Sequence, residues 1–246
     1  MNKVNILGVK VDRIGINDAA DKIFGFLTGN ECAKIYTPNS EIIMMGYNDK
    51  NFAKILNEAN ILTADGIGVV KAAQILKNPV PERAAGFDIA CRLLDKLSNS
   101  DYKLFLFGGK PGIAELAAEK LTEKHPGLKI CGTRNGYFKP EETPEIIEEI
   151  NNSGADVVFV CLGAPKQEQW IHENADKLKT KAALGVGGSL DVFAGTVERA
   201  PEFYCKHGLE WFYRLVKEPW RAKRMTALPK FAITVILHGK KFKQGE

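Results

Sequence analysis

The chain has 246 residues, of which 45% are hydrophobic and 26% are charged, and its net charge is +4. This length and composition support one sizeable hydrophobic core and exclude bulk disorder. The first residues lack a signal-peptide pattern and no apolar run approaches the length of a membrane span, so we expect any membrane contact to be made from the surface.

Cysteine usage and charge distribution narrow the class of protein further. The five cysteines are widely spaced without a CxxC, which favours a reducing compartment and argues against a disulfide framework or a zinc site. Residues 199–246 contain 11 Lys/Arg and four acids, a net charge of +7, whereas the preceding part of the chain carries a net charge of −3. A basic tail on a near-neutral body indicates an anionic partner such as phosphate, nucleic acid or a membrane surface.

In the first half of the chain, short apolar segments alternate with amphipathic ones. The pattern predicts strands over residues 4–11, 33–36 and 61–63. It predicts helices over residues 17–27, directly after Asn39, and over 51–59, 67–76 and 86–97.

The second half is more regular, with predicted strands over residues 103–109, 128–133, 156–163 and 182–188, and helices over 111–124, 142–151 and 166–178. This alternation predicts an α/β fold, a Rossmann-like parallel sheet with helices on both faces. After residue 195 the chain becomes aromatic and basic and contains helix-breaking prolines. We therefore predict an α/β domain over residues 1–195 and a basic helical C-terminal appendage over residues 196–246.

Ligands of open parallel sheets bind at the carboxyl ends of the strands, so polar residues that follow predicted strands are the candidates for a site. Thr37 and Asn39 follow one strand, and Asp65 follows the next, directly before Gly66. A partly buried Asp65 beside small residues suits a general base. The alternative is that Asp65 caps the helix predicted at Ile67.

Two further turns follow strands of the second half. Gly108 and Gly109 would bring backbone N–H groups to a phosphate at the next helix, or would simply form a tight turn. Gln167 lies in the first turn of a predicted helix, where it would bind sugar hydroxyls or face solvent. Asp191 lies in a glycine-rich segment that is either a ligand-facing turn or a capped helix.

The chain offers candidate groups for an anion but none of the usual metal motifs. Arg83 follows two prolines, and it would hold an anionic group in a fixed place or form a surface salt bridge. The chain contains no DxD, the acid pair with which many nucleotide-sugar transferases hold a divalent cation. We therefore expect no metal or other cofactor, with charge neutralisation by Arg, Lys or helix dipoles.

Seven segments, in order along nearly the whole chain, carry a family resemblance. They are TPNSE (37–41), TADGIGVV (63–70), PERAAGFD (81–88), FLFGGKPG (105–112), VFVCLGAPKQEQWI (159–171), GVGGSLDVFAG (185–195) and AP…HGLEWFYRLVKEPWR (200–221). This ordered set resembles the WecG/TagA/CpsF group of bacterial glycosyltransferases, and within it the TagA type.

The resemblance implies that N-acetylmannosamine is transferred, with inversion, from a UDP-sugar donor to the 4-hydroxyl of a polyprenyl-diphosphate-linked GlcNAc acceptor, an early step of wall teichoic acid synthesis. Asp65 would be the base, and Gly66 and Gly68 would leave room for a sugar beside it. Thr37, Asn39 and Gln167 would position sugar or acceptor, and Arg83 would hold a diphosphate. N-acetylmannosamine uronic acid or a simple hexose remains an alternative donor.

The resemblance also gives the basic tail a role. Arg214, Arg221 and Arg224 are interleaved with aromatic residues, so the tail would lie on an anionic membrane surface, or one arginine would stabilise the UDP leaving group. This implies a cytoplasmic protein on the inner face of the cell membrane. The sequence leaves open whether it forms a homo-oligomer. An ordinary packed helical appendage is the alternative.

Two other classes of protein compete with a transferase. A nucleotide-dependent oxidoreductase would need a different glycine spacing and an acid after the strand at 128–133. A nucleic-acid-binding module would explain the basic tail but not Asp65 and its glycines, so we predict no nucleic-acid partner.

Overall fold

The computed structural model describes residues 3–206, 208–217 and 227–242, apart from the side chains of Glu202, Lys206 and Arg214. The chain begins with an antiparallel hairpin of β1 (Lys3–Ile6) and β2 (Val9–Asp12). The prediction of one strand over residues 4–11 was wrong because the chain reverses at Leu7 and Gly8, whose φ values are 55° and 95°.

Six strands form a parallel sheet in the order β4-β3-β8-β7-β5-β6. This confirms the predicted parallel α/β fold. The strands are β3 (Ala33–Tyr36), β4 (Ile61–Leu62), β5 (Lys103–Gly108), β6 (Lys129–Arg134), β7 (Val157–Cys161) and β8 (Ala182–Gly185).

Most helices begin and end within a few residues of their predicted bounds. They are α1 (Ile16–Phe26), α2 (Ser40–Asn48), α3 (Lys50–Asn57), α4 (Ile67–Ile75), α5 (Gly86–Leu97), α6 (Ile113–Lys124), α7 (Thr143–Asn152), α8 (Lys166–Asn174), α9 (Ser189–Phe193), α10 (Glu202–Lys206), α11 (Glu210–Lys217) and α12 (Ala227–His238). Short 3-10 turns lie at Pro140–Glu142, Ala175–Lys177 and Gly239–Phe242.

The hydrophobic core lies on both faces of the sheet. In β5, Phe105 and Phe107 belong to the cluster on one face, whereas Leu104 and Leu106 belong to the cluster on the other. Successive side chains of a strand point to opposite faces, so a central strand covered on both sides is apolar throughout. The central strand β7 is buried at every position for this reason.

Helix α12 packs against α2 and α4 through Phe231 and Val235, which are buried and one helical turn apart. Its other face exposes Ile233, Ile236 and Leu237, at 57%, 60% and 65%. None of the helices in the described ranges has the length and apolar content needed to cross a bilayer. The predicted domain boundary near residue 195 stays a prediction.

Candidate active site

A cleft of about 700 Å³ opens at the carboxyl ends of β3, β4, β7 and β8. This is the edge at which the sequence predicts a ligand site. Segments far apart in the chain meet there because parallel strands all end on the same side of the sheet. The cleft is lined by six of the predicted site residues: Thr37, Asn39, Asp65, Arg83, Gln167 and Asp191.

Asp65 lies in the loop between β4 and α4, which is held from both sides. Its backbone N–H donates to the carbonyl of Pro38 at 3.2 Å, and Ala64 accepts a hydrogen bond from the backbone of Ala84 at 2.9 Å. The Asp65 carboxylate accepts a long hydrogen bond from the backbone N–H of Gly86, at 3.5 Å. Gly86 is the first residue of α5, so the carboxylate faces the positive end of a helix.

The alternative interpretation of Asp65 as a helix cap is wrong. The N-cap of α4 is Gly66, and no side chain caps this helix. Gly66 has a φ of 86°, which favours glycine because a Cβ atom would be strained there. Gly68 is required for packing, since a Cβ atom on it would lie 2.2 Å from the Ser40 hydroxyl. Both glycines line the cleft, but each has a structural reason besides leaving room for a sugar.

Thr37 and Asn39 follow β3 and differ in exposure. Thr37 is buried, and its hydroxyl donates to the carbonyl of Gly185 at 3.2 Å, so it joins the ends of β3 and β8. Asn39 is exposed, and its side-chain oxygen caps α2 by accepting from the backbone N–H groups of Glu41 and Ile42. The amide nitrogen of Asn39 is therefore the end of the side chain that is available to a ligand.

Arg83 bridges two carboxylates at the mouth of the cleft. Its Nη2 atom lies 2.9 Å from Asp88 of α5, and its Nη1 atom lies 2.6 Å from Glu210 of α11. Burial works against the charged guanidinium, but the hydrogen bond and charge of Glu210 outweigh it and raise the pKa of Arg83. Arg83 is thus a cation held between the α/β body and the C-terminal segment.

We call the charged side chains at the mouth of the cleft the rim. It consists of Arg83 and, from the C-terminal segment, Glu198, Arg199, Glu210 and Lys217. Arg199 pairs with Asp88, and its guanidinium lies 4.7 Å from the ring centre of Phe87. Lys217 lies 3.6 Å from Glu198, which also accepts a hydrogen bond from Tyr213 at 3.4 Å.

Gln167, another residue of the cleft lining, lies in the first turn of α8 and is buried. Its side-chain oxygen accepts from the backbone N–H of Gly187 at 3.0 Å, and its nitrogen donates to Glu168 at 2.8 Å. The alternative prediction, that Gln167 faces solvent, was wrong because the side chain is buried and forms hydrogen bonds within the protein. Asp191 lies in the first turn of α9 and also lines the cleft.

Gly108 and Gly109 do not line this cleft. They lie at the end of β5, where Gly109 donates to the carbonyl of Cys161 at 3.2 Å. A Cβ atom on Gly108 would lie 2.3 Å from the Cys161 carbonyl oxygen, so the close approach of β5 and β7 explains this glycine. Their assignment to a nucleotide stays a prediction.

Other sequence predictions have mixed outcomes. Arg221 and Arg224 lie outside the described residues, as does the side chain of Arg214, whose backbone lies in α11. Cys161 ends the buried strand β7, and burial raises the pKa of its thiol. Within the described ranges, no three His, Cys, Asp or Glu side chains form a group that could hold a metal ion, and metal independence stays a prediction.

Sequence reasoning missed Asp88, Arg199, Glu210 and Glu168. A signal for Asp88 existed, because it follows Arg83 within the same PERAAGFD segment. Glu210 gave no local signal, since it meets Arg83 only when the C-terminal segment folds over the sheet edge. Glu168 gave no signal either, since it stands among other polar residues at a predicted helix start, and the structure buries it completely.

Comparison with known proteins identifies the family of this chain. The Glycosyl transferase WecG/TagA/CpsF family matches residues 4–245. A Bacillus subtilis (strain 168) protein named N-acetylglucosaminyldiphosphoundecaprenol N-acetyl-beta-D-mannosaminyltransferase is 37% identical over 83% of this chain and 79% of its own. A Staphylococcus aureus (strain MRSA252) protein of the same name is 31% identical over 99% of this chain and 96% of its own. The chain therefore belongs to the WecG/TagA/CpsF family of glycosyltransferases.

Proposed function

We propose that this chain is an inverting transferase that moves N-acetylmannosamine from UDP-N-acetylmannosamine to the 4-hydroxyl of GlcNAc-diphospho-undecaprenol, an early step of wall teichoic acid synthesis. The relatives' names support this donor sugar and acceptor. The observation that carries the proposal is the single cleft that brings together Asp65, Arg83 and Gln167.

In this reaction Asp65 takes the proton of the acceptor hydroxyl as its oxygen attacks the anomeric carbon of the donor. The bond from that carbon to the UDP oxygen breaks, and UDP leaves with the electron pair. Inversion in one step needs only one such carboxylate. The backbone N–H of Gly86, at the start of α5, faces this carboxylate and donates a long hydrogen bond to it.

The charges around the cleft bear on how UDP is held. The described lining contains three basic side chains, and each of them is in an ion pair: Arg83 with Asp88 and Glu210, Arg199 with Asp88, and Lys217 with Glu198. A bound diphosphate therefore draws on one of these paired cations, as when it takes Arg83 from Glu210, or receives a cation from Arg214, Arg221 or Arg224. Either route places a cation against the diphosphate of the donor.

The same charges favour an uncharged donor sugar. The described lining contains six acids: Glu41, Asp65, Asp88, Asp191, Glu198 and Glu210. A uronic acid would bring a further negative charge beside them, which like-charge repulsion disfavours. An N-acetylated neutral sugar meets no such penalty. The lining thus supports N-acetylmannosamine over its uronic acid.

We also propose that the protein works on the cytoplasmic face of the membrane, where its lipid-linked acceptor resides. The exposed apolar side chains of the C-terminal helices support this. Apolar residues beside basic ones suit an anionic bilayer surface. The exposed apolar residues are Phe203, Phe212, Val216, Ile233, Ile236 and Leu237. A homo-oligomer would cover the same surface.

Release of UDP from UDP-N-acetylmannosamine, with and without a GlcNAc-diphospholipid, tests the proposal. We expect release that depends on the acceptor, a disaccharide-lipid product, and little turnover of the uronic acid donor. Equal or faster turnover of the uronic acid would contradict the donor assignment. Inertness with every UDP-sugar, together with salt-dependent binding of oligonucleotides, would favour the nucleic-acid-binding alternative.

A further inference from the structure

Glu168 is a completely buried acid beside the cleft. Its residue is 0% exposed, although it lies in the first turn of α8, where acids usually face solvent. One carboxyl oxygen accepts from the Gln167 amide at 2.8 Å, and the other has no hydrogen-bond partner in the described chain. Within the described residues, no basic side chain forms an ion pair with it.

Burial of such a group costs free energy that an apolar residue would not cost. A buried carboxyl without a paired cation destabilises the folded state. Burial raises the pKa of Glu168, and the hydrogen bond from Gln167 works in the opposite direction. A favourable position near the helix N-terminus does not explain the cost, because an exposed acid would gain the same interaction.

The contacts of Glu168 lead to the cleft through one side chain. Glu168 presents an acceptor, so it selects the nitrogen end of the Gln167 amide. The oxygen end then faces the backbone N–H of Gly187, at 3.0 Å. Gly187 has a φ of 54° and lies in the turn between β8 and α9, which lines the cleft. The carboxyl, the amide and the glycine turn form one connected chain of hydrogen bonds.

We propose that Glu168 is a positioning residue for sugar transfer, which acts through Gln167 to hold the glycine turn of residues 186–188 against the substrates. The role in transfer rests on the proposed function. Glu168 lies outside the residues that line the cleft, so its effect passes through Gln167. A misplacement of the cleft wall by about 1 Å is enough to lower the rate of an enzyme about a hundredfold.

The test compares Glu168→Leu, which removes the acceptor, with Glu168→Gln, which keeps a carbonyl acceptor for Gln167. Glu173→Leu is the matched control, since Glu173 is exposed on the same helix. We expect kcat/KM to fall about tenfold or more in Glu168→Leu and to stay within about threefold of wild type in Glu168→Gln. All rates are measured well below the unfolding midpoint of each variant, so that loss of fold does not imitate loss of positioning.

A double-mutant cycle with Gln167→Leu separates positioning from general damage. If Glu168 acts through Gln167, Glu168→Leu lowers kcat/KM no further in the Gln167→Leu background. Additive losses would overturn the proposal, as would equal losses in Glu168→Gln and Glu168→Leu.

Hydrogen exchange provides a readout that does not depend on the reaction. We expect the Gly187 amide to exchange faster in Glu168→Leu but not in Glu173→Leu, because its acceptor is no longer held. Unchanged exchange would overturn the positioning role even if the wild type transfers no sugar. Faster exchange in a protein without transferase activity would instead overturn only the proposed function.

Discussion

The two sides of the cleft are held in different ways. The sheet-edge wall, which consists of Asp65, Gln167 and Gly187, is fixed by backbone hydrogen bonds and by the buried carboxyl of Glu168. The rim is held by side-chain ion pairs: Arg83–Glu210 joins the α/β body to the C-terminal segment and is largely buried, whereas Lys217–Glu198 lies within that segment and is exposed.

This difference assigns the two sides different tasks. Backbone hydrogen bonds in a packed core keep one arrangement, which suits a base and a wall that must not move. Side-chain ion pairs can exchange partners, and the exposed pair of Lys217 and Glu198 can do so readily, which suits groups that must admit a diphosphate and release UDP. Changes in the wall should therefore lower kcat, and changes in the rim should alter substrate affinity.

The largest effect is expected for Asp65→Asn in the wall. The asparagine keeps an acceptor for the Gly86 N–H but cannot take a proton. We expect kcat to fall about a hundredfold or more, while UDP affinity stays near that of the wild type. Acceptor-dependent UDP release measures the first quantity and calorimetric titration with UDP the second. Similar rates in both proteins would remove Asp65 from the chemistry.

Substitution of Arg83 tests the rim, where we expect KM to change more than kcat. Arg83→Ala removes the cation and leaves the acids that it neutralised facing the cleft. We expect KM for the UDP-sugar to rise about tenfold or more, with a smaller change in kcat. Arg83→Lys should restore only part of the affinity, because an ammonium group does not span two carboxylates as a guanidinium does. A loss confined to kcat would contradict the division between wall and rim.

The wall could be predicted from the sequence better than the rim. Asp65 of the wall, and Asp191 beside it in the cleft lining, follow strands or strand-end glycines within a few residues, so the fold class alone places them at one edge of the sheet. Arg83 was identified, but its partner Glu210 was not, because that pairing depends on how α11 returns over the cleft. Long-range side-chain pairs leave no periodic signal in a single sequence.

Turn geometry limited the prediction as well. The sequence predicts one strand over residues 4–11 because leucine rarely adopts a positive φ value, and nothing at Leu7 indicates that it does so here. Gly108 and Gly109 were linked to a nucleotide because glycine-rich turns often bind phosphate, whereas the close approach of two strands also requires glycine there. A sequence shows that a glycine is present but not which of its properties is used.

The two glycines beside Asp65 test how tightly the wall is packed. Gly68→Ala brings a methyl group against the Ser40 hydroxyl, so we expect a loss of about 1 kcal/mol in the free energy of unfolding. Ser40→Ala should recover most of that loss. Gly66→Ala is the control, because its strain comes from a φ of 86° and Ser40→Ala should not relieve it. Denaturant unfolding of the single and double variants measures each value.

The smallest effect is expected for Glu210→Gln, yet it addresses the rim most directly. The pairing with Arg83 at 2.6 Å places a carboxylate where a diphosphate oxygen is expected to bind. Removing that charge weakens the competitor without removing Arg83, so we expect the Kd for UDP to fall about threefold. Glu198→Gln, which breaks the pair with Lys217 on the same rim, should change the Kd less. If Glu210→Gln instead weakens UDP binding, Glu210 orients Arg83 rather than competes for it, and the rim is as preorganised as the wall.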